Sequence, residues 1–216
     1  MTGNGLKLSG VGKNIMLYIK QSVSDITFEN LTLTAGDMNG AKPDDFGNSG
    51  SIGDEQGSAD TYLMFVSSNS LKVNVNGNVT LSKRNTATTK NLLAIYQSHL
   101  DYTDATPMSM EFVGGDSPNF TVTGNTYAIQ SMGSVDFSDM TFTAAAEYYG
   151  VHAETIRFDR CSIITTGLAG TNIESSTGIY SNDLSIVDCS LDIRTGIFGE
   201  TIDISGATDG KVTSGY

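Results

Sequence analysis

One phrase recurs along this chain, and it restricts the possible folds more than any other feature. It is an apolar-polar-apolar triplet, a few polar residues, and a second apolar-polar-apolar triplet. It reads Val135-Asp136-Phe137 then Met140-Thr141-Phe142, and returns as Ile156-Arg157-Phe158 then Cys161-Ser162-Ile163. The third copy is Leu184-Ser185-Ile186 then Cys189-Ser190-Leu191. The fourth, Ile202-Asp203-Ile204 before Ala207-Thr208, lacks its second half. Each copy follows a small apolar lead-in: Ala128-Ile129, Gly150-Val151, Gly178-Ile179 and Gly196-Ile197. Upstream, Ile26-Thr27-Phe28 with Leu31-Thr32-Leu33 is a close copy. Looser copies are Leu71-Lys72-Val73 with Val79-Thr80-Leu81, and Met110-Glu111-Phe112 with Phe120-Thr121-Val122.

Alternation with period two specifies strands, with Val135, Phe137, Met140 and Phe142 pointing in and Asp136 and Thr141 pointing out. No copy can bury its apolar side alone. Stacking the copies gives one continuous core and parallel ladders. A β-sandwich also has many short strands, but its strands have no reason to repeat a phrase. The expected fold is therefore all-β, a right-handed single-stranded parallel β-helix of about seven coils. It forms one domain over residues 1–216, with a long loop inserted at 36–60. The last phrase stops without a visible cap, which suits a piece of a longer protein.

The four phrases between Ala128 and Ala207, with the copy at Ile26 to Leu33, resemble right-handed parallel β-helix proteins of bacterial surfaces, the pectate-lyase-like superfold. The resemblance implies an architecture. That architecture hosts lyases, glycan hydrolases, tail spikes and adhesins, so it implies no single activity.

Composition narrows the partners. Twelve basic residues stand against 24 acidic ones, a formal net charge of -12, which disfavours nucleic acid and anionic lipid. No apolar run is long enough for a membrane helix, so no membrane insertion is expected. No signal peptide is visible at the start of the chain. Abundant Gly, Thr, Ser and Asn suit short strands joined by tight turns.

Candidate chemistry is sparse. The 36–60 loop reads first as a solvated acidic loop and no cofactor is required; the sharper alternative is a Ca²⁺ site, for which Asp37, Asp44, Asp45 and Asp54 offer oxygen ligands, although their spacing matches no EF-hand. Tyr148 and Tyr149, with Tyr180 one copy later, offer an aromatic platform for sugar rings; the competing arrangement puts one ring in a corner of the core. The outward column of the first triplets reads Thr27, Lys72, Glu111, Asp136, Arg157, Ser185 and Asp203, mixed in sign. The second-triplet column reads Thr32, Thr80, Thr121, Thr141, Ser162, Ser190 and Thr208, nearly all hydroxyl. Cys161 and Cys189 share a slot in consecutive copies; they are two small core residues, a disulfide, or half a metal site. His99 and His152 lie far apart, and neither sits in a nucleophile motif. These features point to an extracellular or cell-surface module, structural or adhesive, that contacts glycans or host surface proteins. The alternative is a polysaccharide lyase or glycoside hydrolase of the same superfold. No catalytic residue is assigned.

Overall fold

The computed structural model describes residues 7–10, 15–35, 61–83, 92–101, 103–167 and 177–212. Within them the regular structure is entirely β. After β1 (Lys7–Gly10) the strands come in threes: β2 (Ile15–Ile19), β3 (Asp25–Glu29) and β4 (Thr32–Ala35); then β5 (Thr61–Val66), β6 (Ser70–Asn76) and β7 (Asn78–Lys83). Next are β8 (Leu92–Gln97), β9 (Ser109–Gly114) and β10 (Asn119–Gly124), then β11 (Tyr127–Ser131), β12 (Ser134–Ser138) and β13 (Thr141–Ala146). From there the first two strands of each rung merge into one: β14 (Tyr149–Asp159) with β15 (Ser162–Gly167), β16 (Thr177–Val187) with β17 (Ser190–Ile193), and β18 (Ile197–Ser205) with β19 (Asp209–Val212).

Every strand pair is parallel, and each strand pairs with its counterpart in the next rung. The third strands form an eight-stranded sheet from β1 to β19. The first and second strands form two columns that join along β14, β16 and β18. This is the topology of a parallel β-helix-like fold. The reason lies in the repeated phrase: a strand with one apolar side stacks on a copy of itself, and the backbone groups of the paired strands bond from rung to rung.

The core lies between the sheets. In register, Met110, Val135, Ile156 and Leu184 make one buried column, and Phe112, Phe137, Phe158 and Ile186 another. The Phe112 and Phe137 rings stack at 5.1 Å and those of Phe137 and Phe158 at 4.7 Å, while Phe142 from the facing sheet meets Phe137 at 4.3 Å. Burying each such ring contributes about 1.5–3 kcal/mol. Val135, Phe137, Met140 and Phe142 are buried and Asp136 and Thr141 face out, as the alternation requires. At β18 the columns end. Ile202 and Ile204 occupy the inward positions next to Leu184 and Ile186, yet are 46% and 49% exposed.

One corner repeats with a fixed backbone. The residue that ends the second strand's column has positive φ in rung after rung: Asn30 (45°), Gly77 (64°), Ser117 (47°), Asp139 (56°), Arg160 (52°), Asp188 (52°) and Gly206 (71°). Such a left-handed residue turns the chain sharply from one sheet to the next; Gly, Asn and Asp tolerate it best. At Gly77 and Gly206 the missing Cβ has a second use. The space it would fill holds the side-chain oxygens of Asn30 and Asp188 from the rung before. Those oxygens accept hydrogen bonds from Asn78 N (3.2 Å) and Ala207 N (2.7 Å).

The observed register corrects two outward columns. Asp25 pairs with Lys72, so Asp25 heads the charged column, and Thr27 pairs with Asn74. In the hydroxyl column Thr121 pairs with Thr143, and the true column is Thr32, Thr80, Thr121, Thr143, Ile164 and Asp192. Thr141 pairs with Asn119 instead. Thr208 lies before β19, where its Oγ1 accepts from Cys189 N (3.3 Å) and donates to Ser205 O (2.6 Å). The slips at Thr27 and Thr141 are of two residues, which leaves inside and outside unchanged, while Thr208 falls one residue short of Asp209, the partner of Ser190.

Candidate functional site

Aromatic residues follow the inward apolar residue of the first strands. Tyr18 follows Leu17, Phe65 follows Met64, Tyr96 follows Ile95, His152 follows Val151, Tyr180 follows Ile179 and Phe198 follows Ile197. Alternation therefore sets them on the outer face, and the register stacks them into a stripe interrupted by Gln130. A second, parallel column adds Tyr62, Tyr127 and Tyr149. Tyr62 and Tyr96 stack at 5.0 Å, Tyr127 and Tyr149 at 5.2 Å, and Tyr180 and Phe198 at 4.6 Å. Tyr149 and Tyr180 meet edge to face at 5.2 Å. Near the N-terminal rungs Tyr62, Phe65 and Leu93 are buried in a cluster separate from the main core. Toward the C-terminal rungs the stripe opens: Tyr149 and Tyr180 are half-buried and Phe198 is 49% exposed. Tyr148 stands in the turn before β14, 46% exposed.

His152 is embedded in this stripe, 5.2 Å from the Tyr149 ring and 5.0 Å from Tyr180. Its Nδ1 is buried without a hydrogen-bond partner. Burial holds its pKa below the ordinary histidine value, so near neutral pH it is one more uncharged ring.

On the adjoining face the charged column reads Lys72, Glu111, Asp136, Arg157, Ser185 and Asp203 in direct register. Glu111 and Asp136 are thus neighbours on parallel strands, about 4.8 Å apart by strand spacing. Burial raises the Asp136 pKa; Arg157 opposes the shift and Glu111 adds to it. Arg157 makes its ion pair along its own strand, with Asp159 at 4.0 Å. The tight pair is at the corner, where Arg160 grips Asp139 through Nε (2.6 Å) and Nη2 (2.9 Å). That bond lowers the Asp139 pKa and raises that of Arg160.

A third feature is a cleft of about 450 Å³ at the bend between the first two strand columns. One wall is the segment after β8, with His99, Asp104 and Thr106; the other carries Met132, Ser134, Glu154 and Thr155. His99 Nε2 is 2.8 Å from Thr106 O, and a carbonyl only accepts, so Nε2 carries its proton. Its Nδ1 is 3.4 Å from Asp104 Oδ2. Asp104 Oδ1 accepts from Thr106 Oγ1 (2.6 Å) and Thr106 N (2.9 Å), which lowers its pKa.

Asp37, Asp44, Asp45 and Asp54 lie outside the described residues. Among the described residues no group of three His, Cys, Asp or Glu side chains is placed to hold a metal ion. Cys161 and Cys189 are both free and buried, with Cys161 N donating to Cys189 Sγ (3.3 Å). Burial raises both thiols, Cys161 to about 11, so neither is a nucleophile near neutral pH. No helix among the described residues is long and apolar enough to cross a membrane. The cleft residues carry no sequence signal, because they come from a connection and two corners. The aromatic stripe does carry one, an aromatic residue after the lead-in. Comparison with family models, with curated proteins and with solved structures finds no match to this chain.

Proposed function

We propose that the chain is a right-handed parallel β-helix of about seven coils. It would be a secreted or cell-surface module, structural or adhesive, that contacts glycans or host surface proteins. The hand follows from the strong preference of parallel β-to-β crossovers for the right-handed connection. The observation that carries the contact role is the outer aromatic stripe, open at Tyr149, Tyr180 and Phe198. Stacked rings normally hide in a core. Rings on the outside of a sheet suit the apolar faces of sugars. The experiment is a glycan array followed by titration calorimetry on the hits. Tyr180→Ala and Phe198→Ala are expected to weaken binding about tenfold or more, a loss of about 1.4 kcal/mol. Wild-type binding unaffected by either change would remove the stripe from the contact.

A second reading, glycan hydrolysis, is favoured by Glu111 and Asp136. They are direct register neighbours on parallel strands, and retaining glycosidases use two nearby carboxyl groups; the raised Asp136 pKa suits an acid. Release of reducing sugar that Asp136→Asn abolishes would establish this reading over the first.

A further inference from the structure

The cleft lies beside the aromatic stripe, at its middle rungs. His152 and Glu154 both belong to β14, two residues or about 7 Å apart along an extended strand. Gln130, the register partner of His152, stands two residues before Met132. A chain molecule crossing the stripe along the strand direction would therefore meet the cleft with a neighbouring unit. The cleft's polarity is one-sided. Its charged groups that lack a basic partner are carboxylates, and no Lys or Arg lines it. Asp104 is preorganised by Thr106, which donates twice to its Oδ1, while Oδ2 lies 3.4 Å from His99 Nδ1. Glu154 is exposed, and among the described residues its carboxylate forms no hydrogen bond or ion pair. The hydroxyl residues Ser134 and Thr155 also line the cleft, and Met132, 55% exposed, gives an apolar edge.

We propose that this cleft binds the protonated amine of a hexosamine unit, with Glu154 as its carboxylate partner and Ser134 and Thr155 facing the sugar hydroxyls. The ligand class is thus an amino-bearing glycan, and acidic glycans are rejected. This rests on the stripe being a glycan contact. A bare metal ion does not fit. Asp104 is committed to its own loop, which leaves Glu154 as the only carboxylate in the cleft without an internal partner. A protonated amine needs one such carboxylate and accepts hydroxyl neighbours.

The test is titration calorimetry at about pH 6, where a sugar amine is protonated. The probes are a β-linked glucosamine oligosaccharide, its fully N-acetylated counterpart and an oligogalacturonate. The glucosamine oligomer is expected to bind about tenfold tighter than the acetylated one, as a charge-assisted hydrogen bond supplies. Glu154→Gln, checked for native circular dichroism, is expected to erase that difference and leave acetylated binding unchanged. Equal binding of the two oligomers, or preference for the oligogalacturonate, overturns the cleft inference while leaving the stripe reading intact. A preference lost in Glu154→Gln, with the affinity for both oligomers unchanged in Tyr180→Ala, upholds the cleft and overturns the stripe. No binding of any probe overturns both.

Discussion

At the scale of single residues the corner carries most of the specific information. Asn30 and Asp188 each reach forward into a space left by a glycine of the next rung and cap a backbone N–H there. Gly77→Ala puts a Cβ into that space at φ 64°. It is expected to cost about 1–2 kcal/mol from the left-handed backbone alone, and more as Asn30 is displaced; urea unfolding measures this. Asp136 predicts a pH effect. Its folded pKa is raised, first by burial, so the folded state holds the proton to higher pH than the unfolded chain does. Its contribution to stability therefore falls as pH rises above the ordinary aspartate value, about 3.9, toward the raised one. Asp136→Asn is expected to raise the thermal midpoint at neutral pH and to flatten the slope across that window. Asp139 runs the other way. Its lowered pKa, from the Arg160 hydrogen bonds, adds stability that is present above the ordinary value and lost as pH falls toward the depressed one.

At the scale of strands the sequence is legible in one respect and opaque in another. The alternation in Val135-Asp136-Phe137 identifies a strand and says which residues face the core. It cannot distinguish registers two residues apart, because both bury the same side. That is why Thr27 falls beside Asn74 and Thr143 takes the place beside Thr121. The absolute register is set where Asn30, Gly77 and Asp139 turn, and a left-handed turn at Asp139 or Arg160 has no strong sequence mark. The stripe is legible from the residue after each lead-in. The cleft is not, since Glu154 and His99 meet only after the rungs are stacked. One residue inserted in the middle of β12 reverses the sides of those after it, and is expected to abolish cooperative unfolding. The same residue inserted at the corner between Gly114 and Ser117 is expected to leave the melt nearly unchanged, because that corner already carries extra residues. Differential scanning calorimetry of the two insertions separates these outcomes.

At the scale of the whole molecule, each rung contacts its neighbours and stability is close to a sum over rungs. The sum is lowest at β18, where Ile202 and Ile204 are half exposed and, among the described residues, a strand neighbour lies on one side only. Amide hydrogen exchange is expected to be fastest there and slowest across β12 and β14, whose strands are covered on both sides. Uniform protection along the chain would contradict this. The forward reach of the corner side chains gives the stack a direction in time as well as in space. The oxygen of Asn30 is in place before Asn78 follows it in the chain, and that of Asp188 before Ala207. At these two corners a completed rung is thus a template for the one after it. A chain emerging N-terminus first from a ribosome would find its next acceptor already waiting.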